Sequence, residues 1–305
     1  MSGTQADLGR GSGSCWSALV LDTPESLEPT LVGCLSHVCL GAEFRETDPG
    51  QGQFTVYLGS QAEARDAALT VAQVLERNGL DPDKCRLRVE RIEDGRWVER
   101  YQASLRPFPL GRRFRVVPGG GGAGADIRVA GRRSITLVPG RAFGTGEHPT
   151  TRMCVRQLEG QVVAESRWLD LGCGSGILSL VARFCGARRV VALDVDSVAA
   201  EVARLVIRQN GEERAIEVVA GSSDSVRHGV WDGVVANIAA SHFVHSGAST
   251  AALLRPGGVL IASGFSAQPA ERAEVLDALT RAGLVEIGDD SCEGWSTLVL
   301  ARDPA

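Results

Sequence analysis

The segment from Ser166 to Gly176 reads Ser-Arg-Trp-Leu-Asp-Leu-Gly-Cys-Gly-Ser-Gly and determines the fold class of this chain of 305 residues. Its apolar first part predicts a short buried strand, with Asp170 near the end of that strand. The glycines that follow are Gly172, Gly174 and Gly176. The apolar spacing over residues 177–185 then predicts a helix. Strand, glycine turn and helix form the first half of a βαβ unit, in which bare main chain can pack directly against a ligand.

The order of acid and glycines indicates which ligand this turn accepts. A dinucleotide fingerprint requires a glycine where Ile177 stands. A carboxylate next to a helix N-terminus repels a pyrophosphate, but it tolerates a sulfonium-bearing amino acid with a free ammonium group. The next predicted strand ends on Asp194, which suits a pair of ribose hydroxyls. The pattern therefore predicts an S-adenosylmethionine site, although glycine turns also occur for packing alone.

Composition limits the class of protein. The apolar fraction of 44% is that of a globular chain, and no apolar run approaches the length of a membrane span. Residues 1–14 are rich in Gly and Ser and predict a disordered leader rather than a signal peptide. The eight cysteines form no C-x-x-C pair and no metal-ligand spacing with histidine, which predicts a reduced, cytoplasmic protein without a metal. The net charge of −5 argues against nucleic acid as a partner.

Periodicity divides the chain into three regions beyond the leader. Residues 15–92 predict the order βαββαβ, a small ferredoxin-like α/β domain for substrate recognition. Residues 93–133 predict a linker. Residues 134–305 alternate strands and helices, which predicts a Rossmann-like, doubly wound parallel sheet with a final hairpin near residues 284–301. Ligands of such sheets lie outside the carboxyl ends of the strands.

A second glycine-rich stretch precedes the quoted one. Residues 139–151 read Pro-Gly-Arg-Ala-Phe-Gly-Thr-Gly-Glu-His-Pro-Thr-Thr, a composition typical of a loop that folds over a ligand. A helix is predicted over residues 151–158, with Thr150 or Thr151 as its cap. His148 precedes a proline, so its backbone should be extended, and it is either a hydrogen-bonding loop residue or a general base.

Asn237, at the end of a predicted strand, is the residue nearest to chemistry. Its amide oxygen could accept a hydrogen bond from an incoming amine, or the side chain could simply cap the strand. Methyl transfer is an in-line displacement at a carbon that the sulfonium already activates, so the protein supplies mainly orientation and desolvation.

Together these segments resemble the bacterial ribosomal protein L11 methyltransferases (PrmA). The matching segments are Gly111-Arg-Arg113, Val116-Val-Pro118, Ala142-Phe-Gly-Thr-Gly-Glu-His-Pro-Thr-Thr151, Asp170-Leu-Gly-Cys-Gly-Ser-Gly-Ile-Leu178, Asp194-Val-Asp196 and Val235-Ala-Asn-Ile238. The resemblance implies methylation of lysine or N-terminal amines of ribosomal protein L11, captured by an N-terminal domain on a hinge. It also implies cofactor contacts at Thr151, Gly172, Asp194 and Asn237, and a loop around Phe143 and Gly144 that closes over the ligand. With the glycine turn, the predicted cofactor-binding residues are Phe143, Gly144, Thr151, Asp170, Gly172, Gly174, Gly176, Asp194 and Asn237, of which Asn237 is also the predicted catalytic residue.

The sequence is compatible with three alternative functions. The chain departs from the family pattern after Asn237, where it reads Ile-Ala-Ala-Ser-His242 without an expected leucine. A related methyltransferase that acts on another protein or on a small molecule is therefore one alternative. A nicotinamide-dependent oxidoreductase is a second, and Ile177 stands against it. A regulator that binds the cofactor without turnover is the third.

Overall fold

The glycine-rich stretch lies in the larger of two units into which the chain divides, Met1–Tyr101 and Gln102–Ala305. A computed structural model describes residues 16–35, 39–58, 60–92, 107–118, 128–129, 131–137 and 146–304. The predicted leader over residues 1–14 lies outside the described residues, as do Phe143 and Gly144 of the predicted loop.

The first unit has the predicted order of elements. They are β1 (Trp16–Pro24), α1 (Glu28–Leu35), β2 (Cys39–Asp48), β3 (Gln51–Leu58), α2 (Gln61–Arg77) and β4 (Arg88–Ile92). The sheet order is β2-β3-β1-β4, and every neighbouring pair is antiparallel. The side chain of Ser60 caps α2 by accepting a hydrogen bond from the main-chain nitrogen of Glu63 at 3.1 Å. This order and this pairing are those of a ferredoxin-like unit.

A small four-stranded sheet belongs to the second unit. Its strands are β5 (Phe108–Leu110), β6 (Phe114–Pro118), β7 (Arg128–Val129) and β8 (Arg132–Leu137). Their order is β5-β6-β8-β7. The first three strands fall within residues 93–133, so the described part of the predicted linker contains strands of this sheet. The domain boundaries themselves stay a prediction.

Seven strands form the main sheet of the second unit. They are β9 (Arg167–Leu171), β10 (Arg189–Asp194), β11 (Ile216–Ala220), β12 (Trp231–Asn237), β13 (Leu254–Ser266), β14 (Leu284–Cys292) and β15 (Trp295–Arg302). The order across the sheet is β11-β10-β9-β12-β13-β15-β14. Strands β9 to β13 are parallel, and β15 is antiparallel to both of its neighbours. The final hairpin is confirmed, while the insertion of β15 between β13 and β14 was not predicted.

Helices cover both faces of this sheet. They are α3 (Pro149–Gln161), α4 (Ile177–Cys185), α5 (Ser197–Gln209), α6 (Ala240–Leu253) and α7 (Pro269–Arg281). Successive strand residues point to opposite faces, so Trp168 and Val235 join a core with α3, α4 and α5. Leu169 and Val234 join a second core with α6 and α7. Two cores on one sheet confirm the predicted doubly wound α/β fold.

The chain order reverses at the centre of the sheet, where β9 lies between β10 and β12. Such a switch point leaves a crevice outside the carboxyl ends of the strands, and ligands of open α/β sheets bind there. Strand β9 carries Asp170 next to its last residue, and β10 and β12 end on Asp194 and Asn237. The topology therefore brings the predicted strand-end residues to one edge of the sheet.

Candidate functional site

The turn between β9 and α4 has a backbone that requires glycine. Gly172, Gly174 and Gly176 have φ angles of +74°, +51° and +77°, in the left-handed region that side chains with a Cβ rarely adopt. A Cβ added to Gly172 would lie 2.4 Å from Cγ2 of Ile238, the residue that follows Asn237. The turn is therefore fitted closely to the end of β12, as well as being conformationally strained for other residues.

The glycine turn is tied to the end of β10. The carbonyl oxygen of Leu193 accepts hydrogen bonds from the main-chain nitrogens of Gly172 at 2.8 Å and Cys173 at 3.0 Å. In the carboxylate of Asp194, Oδ2 accepts from the Gly174 nitrogen at 2.9 Å and Oδ1 from the Asp196 nitrogen at 3.0 Å. The turn and Asp194 thus form one hydrogen-bonded structure, which places the two predicted ligand-binding segments side by side.

Asp170 is a buried acid with an unused oxygen. Its side chain is 1% exposed, and Oδ2 accepts a hydrogen bond from the Ser179 hydroxyl at 2.6 Å. The other oxygen, Oδ1, is buried and has no hydrogen-bond partner. The pKa of Asp170 is raised to about 7, because burial and, to a smaller extent, the negative charge of Asp194 outweigh the opposing hydrogen bonds from Ser179. A buried carboxyl with an unpaired oxygen is suited to a cationic ligand, because an unmatched buried acceptor is costly.

The predicted site residues Thr151 and Asn237 are in contact. The side-chain nitrogen Nδ2 of Asn237 donates to the hydroxyl of Thr151 at 3.4 Å, although the two residues are 86 positions apart in sequence. Thr151 is buried in the first turn of α3. In the described part of the chain, Oδ1 of Asn237 accepts no hydrogen bond. The contact occupies the amide nitrogen and leaves the oxygen without a donor among the described residues.

The N-terminus of α3 differs from the prediction. The helix begins at Pro149 rather than at residue 151, and its cap is His148 rather than Thr150 or Thr151. Nδ1 of His148 accepts a hydrogen bond from the Thr150 nitrogen at 3.4 Å and lies 2.7 Å from the Thr150 hydroxyl. The cap moves upstream because Pro149 is favoured as a first helical residue, which leaves the preceding residue extended as expected.

His148 is also held from its other side. Its ring packs edge-on against the ring of Trp295, with 4.8 Å between centroids. Burial and the positive charge of Arg152 lower the pKa of His148 to about 4, against the opposing effect of Glu293. A neutral imidazole whose Nδ1 caps a helix is a structural residue in this arrangement, which favours the hydrogen-bonding role predicted for His148 over that of a general base.

Helix α3 is fixed along its length by partners that are distant in sequence. Arg152 pairs with Glu293, and Arg156 contacts Oδ2 of Asp290 through Nε at 2.9 Å and Nη2 at 2.7 Å. Both acids belong to the hairpin of β14 and β15 or to its turn. The hairpin thereby holds the helix that carries Thr151.

Glu159, in the same helix, binds the backbone of the Gly111-Arg-Arg113 segment. Its side chain is 1% exposed and accepts hydrogen bonds from the main-chain nitrogens of Arg112 and Arg113 at 2.8 and 2.7 Å. A Cβ on Gly111 would lie 2.7 Å from Oε1 of Glu159. This segment therefore connects the small sheet to α3 through hydrogen bonds, which is a structural role.

The predicted site residues fall into three groups. Asp170, Gly172, Gly174, Gly176 and Asp194 line the joined ends of β9 and β10, and Thr151 and Asn237 form a pair at the end of β12. Phe143 and Gly144 lie outside the described residues. That these residues bind a cofactor stays a prediction. Sequence reasoning missed Ser179, whose signal was a lone hydroxyl in the otherwise apolar first half of α4, and Trp295, which had no signal.

Neither a membrane-spanning helix nor a cluster of metal ligands is found among the residues that the structure describes. None of the described helices combines the length and the apolar composition that a membrane span requires. No three His, Cys, Asp or Glu side chains there gather as ligands for a metal ion.

Comparison with known proteins gives the chain clear relatives. Residues 41–303 match the family model described as ribosomal protein L11 methyltransferase (PrmA). A ribosomal protein L11 methyltransferase of Symbiobacterium thermophilum is 36% identical over 272 residues, which is 86% of this chain and 85% of that protein. One from Burkholderia multivorans is 36% identical over 237 residues, 78% of this chain and 75% of that protein. A crystal structure of ribosomal protein L11 methylase from Lactobacillus delbrueckii subsp. bulgaricus superposes with a TM-score of 0.58 at 26% identity, covering 65% of this chain and all of that chain.

Proposed function

The chain belongs to the ribosomal protein L11 methyltransferase (PrmA) family, and we propose that it transfers methyl groups from S-adenosylmethionine to amino groups of ribosomal protein L11. The observation that carries this proposal is the family match over residues 41–303, which includes the whole sheet edge described above. The acceptors are lysine side chains, the N-terminal amine or both. Because the substrate is a ribosomal protein, the proposed place of action is the cytoplasm.

The residues at the sheet edge fit the proposed methyl donor. The unpaired Oδ1 of Asp170 is a buried acceptor that suits an ammonium group, and Asp194 beside the glycine turn suits ribose hydroxyls. The bare main chain of Gly174 lies beside Asp194, where a ligand can pack directly against the backbone. S-adenosylmethionine, when bound, supplies a methyl group activated by a positively charged sulfur.

Asn237 orients the amine that receives the methyl group. Thr151 holds the nitrogen Nδ2 of Asn237, which leaves Oδ1 to accept a hydrogen bond from the acceptor amine. Aiming the nitrogen lone pair is the main contribution the protein can make, since the methyl carbon is already activated. An α-amine with a pKa of about 7.7–8.0 requires less help to lose its proton than a lysine with a pKa of about 10.4.

The first unit is the proposed recognition module for the protein substrate. Its described strands are all antiparallel, so they form no switch point between parallel strands of the kind that binds ligands in the second unit, and its proposed role is binding rather than chemistry. The net charge of −5 complements a basic protein substrate. A methyltransferase that acts on a different protein or on a small molecule is the alternative, and the substrate experiment distinguishes the two.

The test is transfer of labelled methyl groups to purified ribosomal protein L11. We expect label on that protein with the natural chain, and about 100-fold less with Asn237→Ala, which loses the orienting amide. A lysate of the same organism serves as a second acceptor. Label on another protein or on small molecules, with none on ribosomal protein L11, would contradict the substrate. Absence of label from every acceptor would contradict the activity.

A further inference from the structure

The two oxygens of the Asp170 carboxyl, beside Ser179, have different hydrogen bonding in the proposed cofactor site. Ser179 lies in the first turns of α4, nine positions after Asp170, and is fully buried. Its hydroxyl donates to Oδ2 of Asp170 at 2.6 Å, while Oδ1 has no partner. One carboxylate oxygen therefore accepts a hydrogen bond within the protein, and the other can accept one from a bound ligand.

We propose that Ser179 is a positioning residue that fixes the carboxyl of Asp170, so that binding of the cofactor's ammonium group is coupled to release of a proton from Asp170. This inference rests on the proposed function. In the ligand-free protein the buried carboxyl holds a proton for part of the time. An ammonium group at the site favours the carboxylate, so the proton leaves to solvent and the new ion pair takes its place.

Among the described titratable groups around Asp170, Asp170 itself is the one that can release a proton near neutral pH. The thiols of Cys154 in α3 and Cys173 in the glycine turn interact electrostatically with Asp170. Burial raises the pKa of Cys154 to about 12 and that of Cys173 well above its usual range. Both thiols stay protonated at neutral pH. The nearby charge is that of Asp194, which disfavours a second negative charge. Burial and Asp194 raise the pKa of Asp170 and the Ser179 hydrogen bonds lower it, with a net value of about 7.

Calorimetry with S-adenosylhomocysteine tests the coupling, because this product carries the same ammonium group. Titrations in buffers with different ionisation enthalpies give the number of protons released. We expect release of nearly one proton at about pH 6, about half a proton at about pH 7, and little at about pH 8, as follows from a group with a pKa near 7. The affinity should rise with pH over the same range.

Ser179→Ala separates positioning from mere structural support. Loss of the hydroxyl should shift proton release to higher pH and weaken binding about tenfold at neutral pH, with recovery toward the natural affinity in alkaline buffer. Ser166→Ala is the matched control, because Ser166 is a buried serine just before β9, the strand of Asp170, and forms hydrogen bonds with Val163 and Trp168. It should leave proton release unchanged.

Three results would overturn the inference. The natural chain could bind S-adenosylhomocysteine without releasing protons, or Ser179→Ala could weaken binding equally at every pH. Either result would leave the proposed function intact, because the ligand still binds. Failure of the natural chain to bind S-adenosylhomocysteine at all would overturn the proposed function and the coupling with it.

Discussion

The carboxylate of Asp194 accepts a hydrogen bond at 2.9 Å from the main-chain nitrogen of Gly174, 20 positions earlier in the chain. The contact joins the end of β10 to the turn after β9. It makes Asp194 an organiser of the glycine turn in addition to its predicted role toward ribose hydroxyls. A change at this carboxylate should therefore affect the whole site.

Asp194→Asn should weaken S-adenosylhomocysteine binding about 10- to 100-fold, since a hydrogen bond to a charged group contributes about 1.5–3 kcal/mol. A carboxamide has a single acceptor oxygen, so the nitrogen of Gly174 or of Asp196 would face an NH₂ group. Asp196→Asn is the control on the same turn, because Asp196 caps α5 through Val198 and asparagine caps equally well. Equal affinities of the two variants would contradict the organising role.

Gly172→Ala should destabilise the protein by more than its backbone conformation alone explains. Gly211→Ala is the matched control, with φ of +73° against +74° but nothing within 4 Å of an added Cβ. Both changes cost about 1 kcal/mol for the left-handed conformation, and the clash with Ile238 should add about 1–3 kcal/mol at Gly172. Denaturant unfolding measures the difference. Similar losses in both variants would mean that Ile238 does not pack against the turn.

Thr151→Val should lower the rate of methyl transfer about fivefold, because a hydrogen bond contributes about 1 kcal/mol. The hydroxyl that holds the Asn237 amide is lost while the shape of the side chain is kept. Thr151→Ser retains the hydroxyl and should retain most of the rate. Steady-state transfer at saturating cofactor is the measurement. A valine variant as active as the serine variant would exclude the contact from the reaction.

The acid sensitivity of the fold should depend on His148. The pKa of this residue falls from 6.5 to about 4 on folding, so below about pH 6.5 the unfolded chain binds more protons than the folded chain. Stability is then lost as the pH falls toward 4. His148→Asn keeps a capping side chain and removes the titration. Between neutral pH and about pH 4.5 it should lose about 2 kcal/mol less than the natural chain. Parallel losses of unfolding free energy in the two proteins would contradict this.

The sequence predicted the elements of the second unit well, because its strands and helices carry strong local periodicity. The helix over residues 177–185 and the strand ending at Asp194 have the predicted bounds. The meeting of Asp194 with the glycine turn also followed, since carboxyl ends of parallel strands share one edge of a sheet.

Contacts between distant segments could not be predicted. Glu159 accepts hydrogen bonds from a turn 47 positions away, and Arg152 pairs with Glu293, 141 positions later. Such pairs leave no periodic pattern in either segment. The cap at His148 was missed because Thr150 and Thr151 are stronger capping residues in isolation, and the position of Pro149 decided the start of the helix.

Mass spectrometry of ribosomal protein L11 from cells with and without the gene for this chain tests the proposed methylation directly. We predict that the protein from cells with the gene carries added methyl groups on its amines and that deletion removes them. Restoration by the natural gene, but not by the Asn237→Ala gene, would assign the modification to this site. Identical masses of ribosomal protein L11 in the two strains would contradict the account.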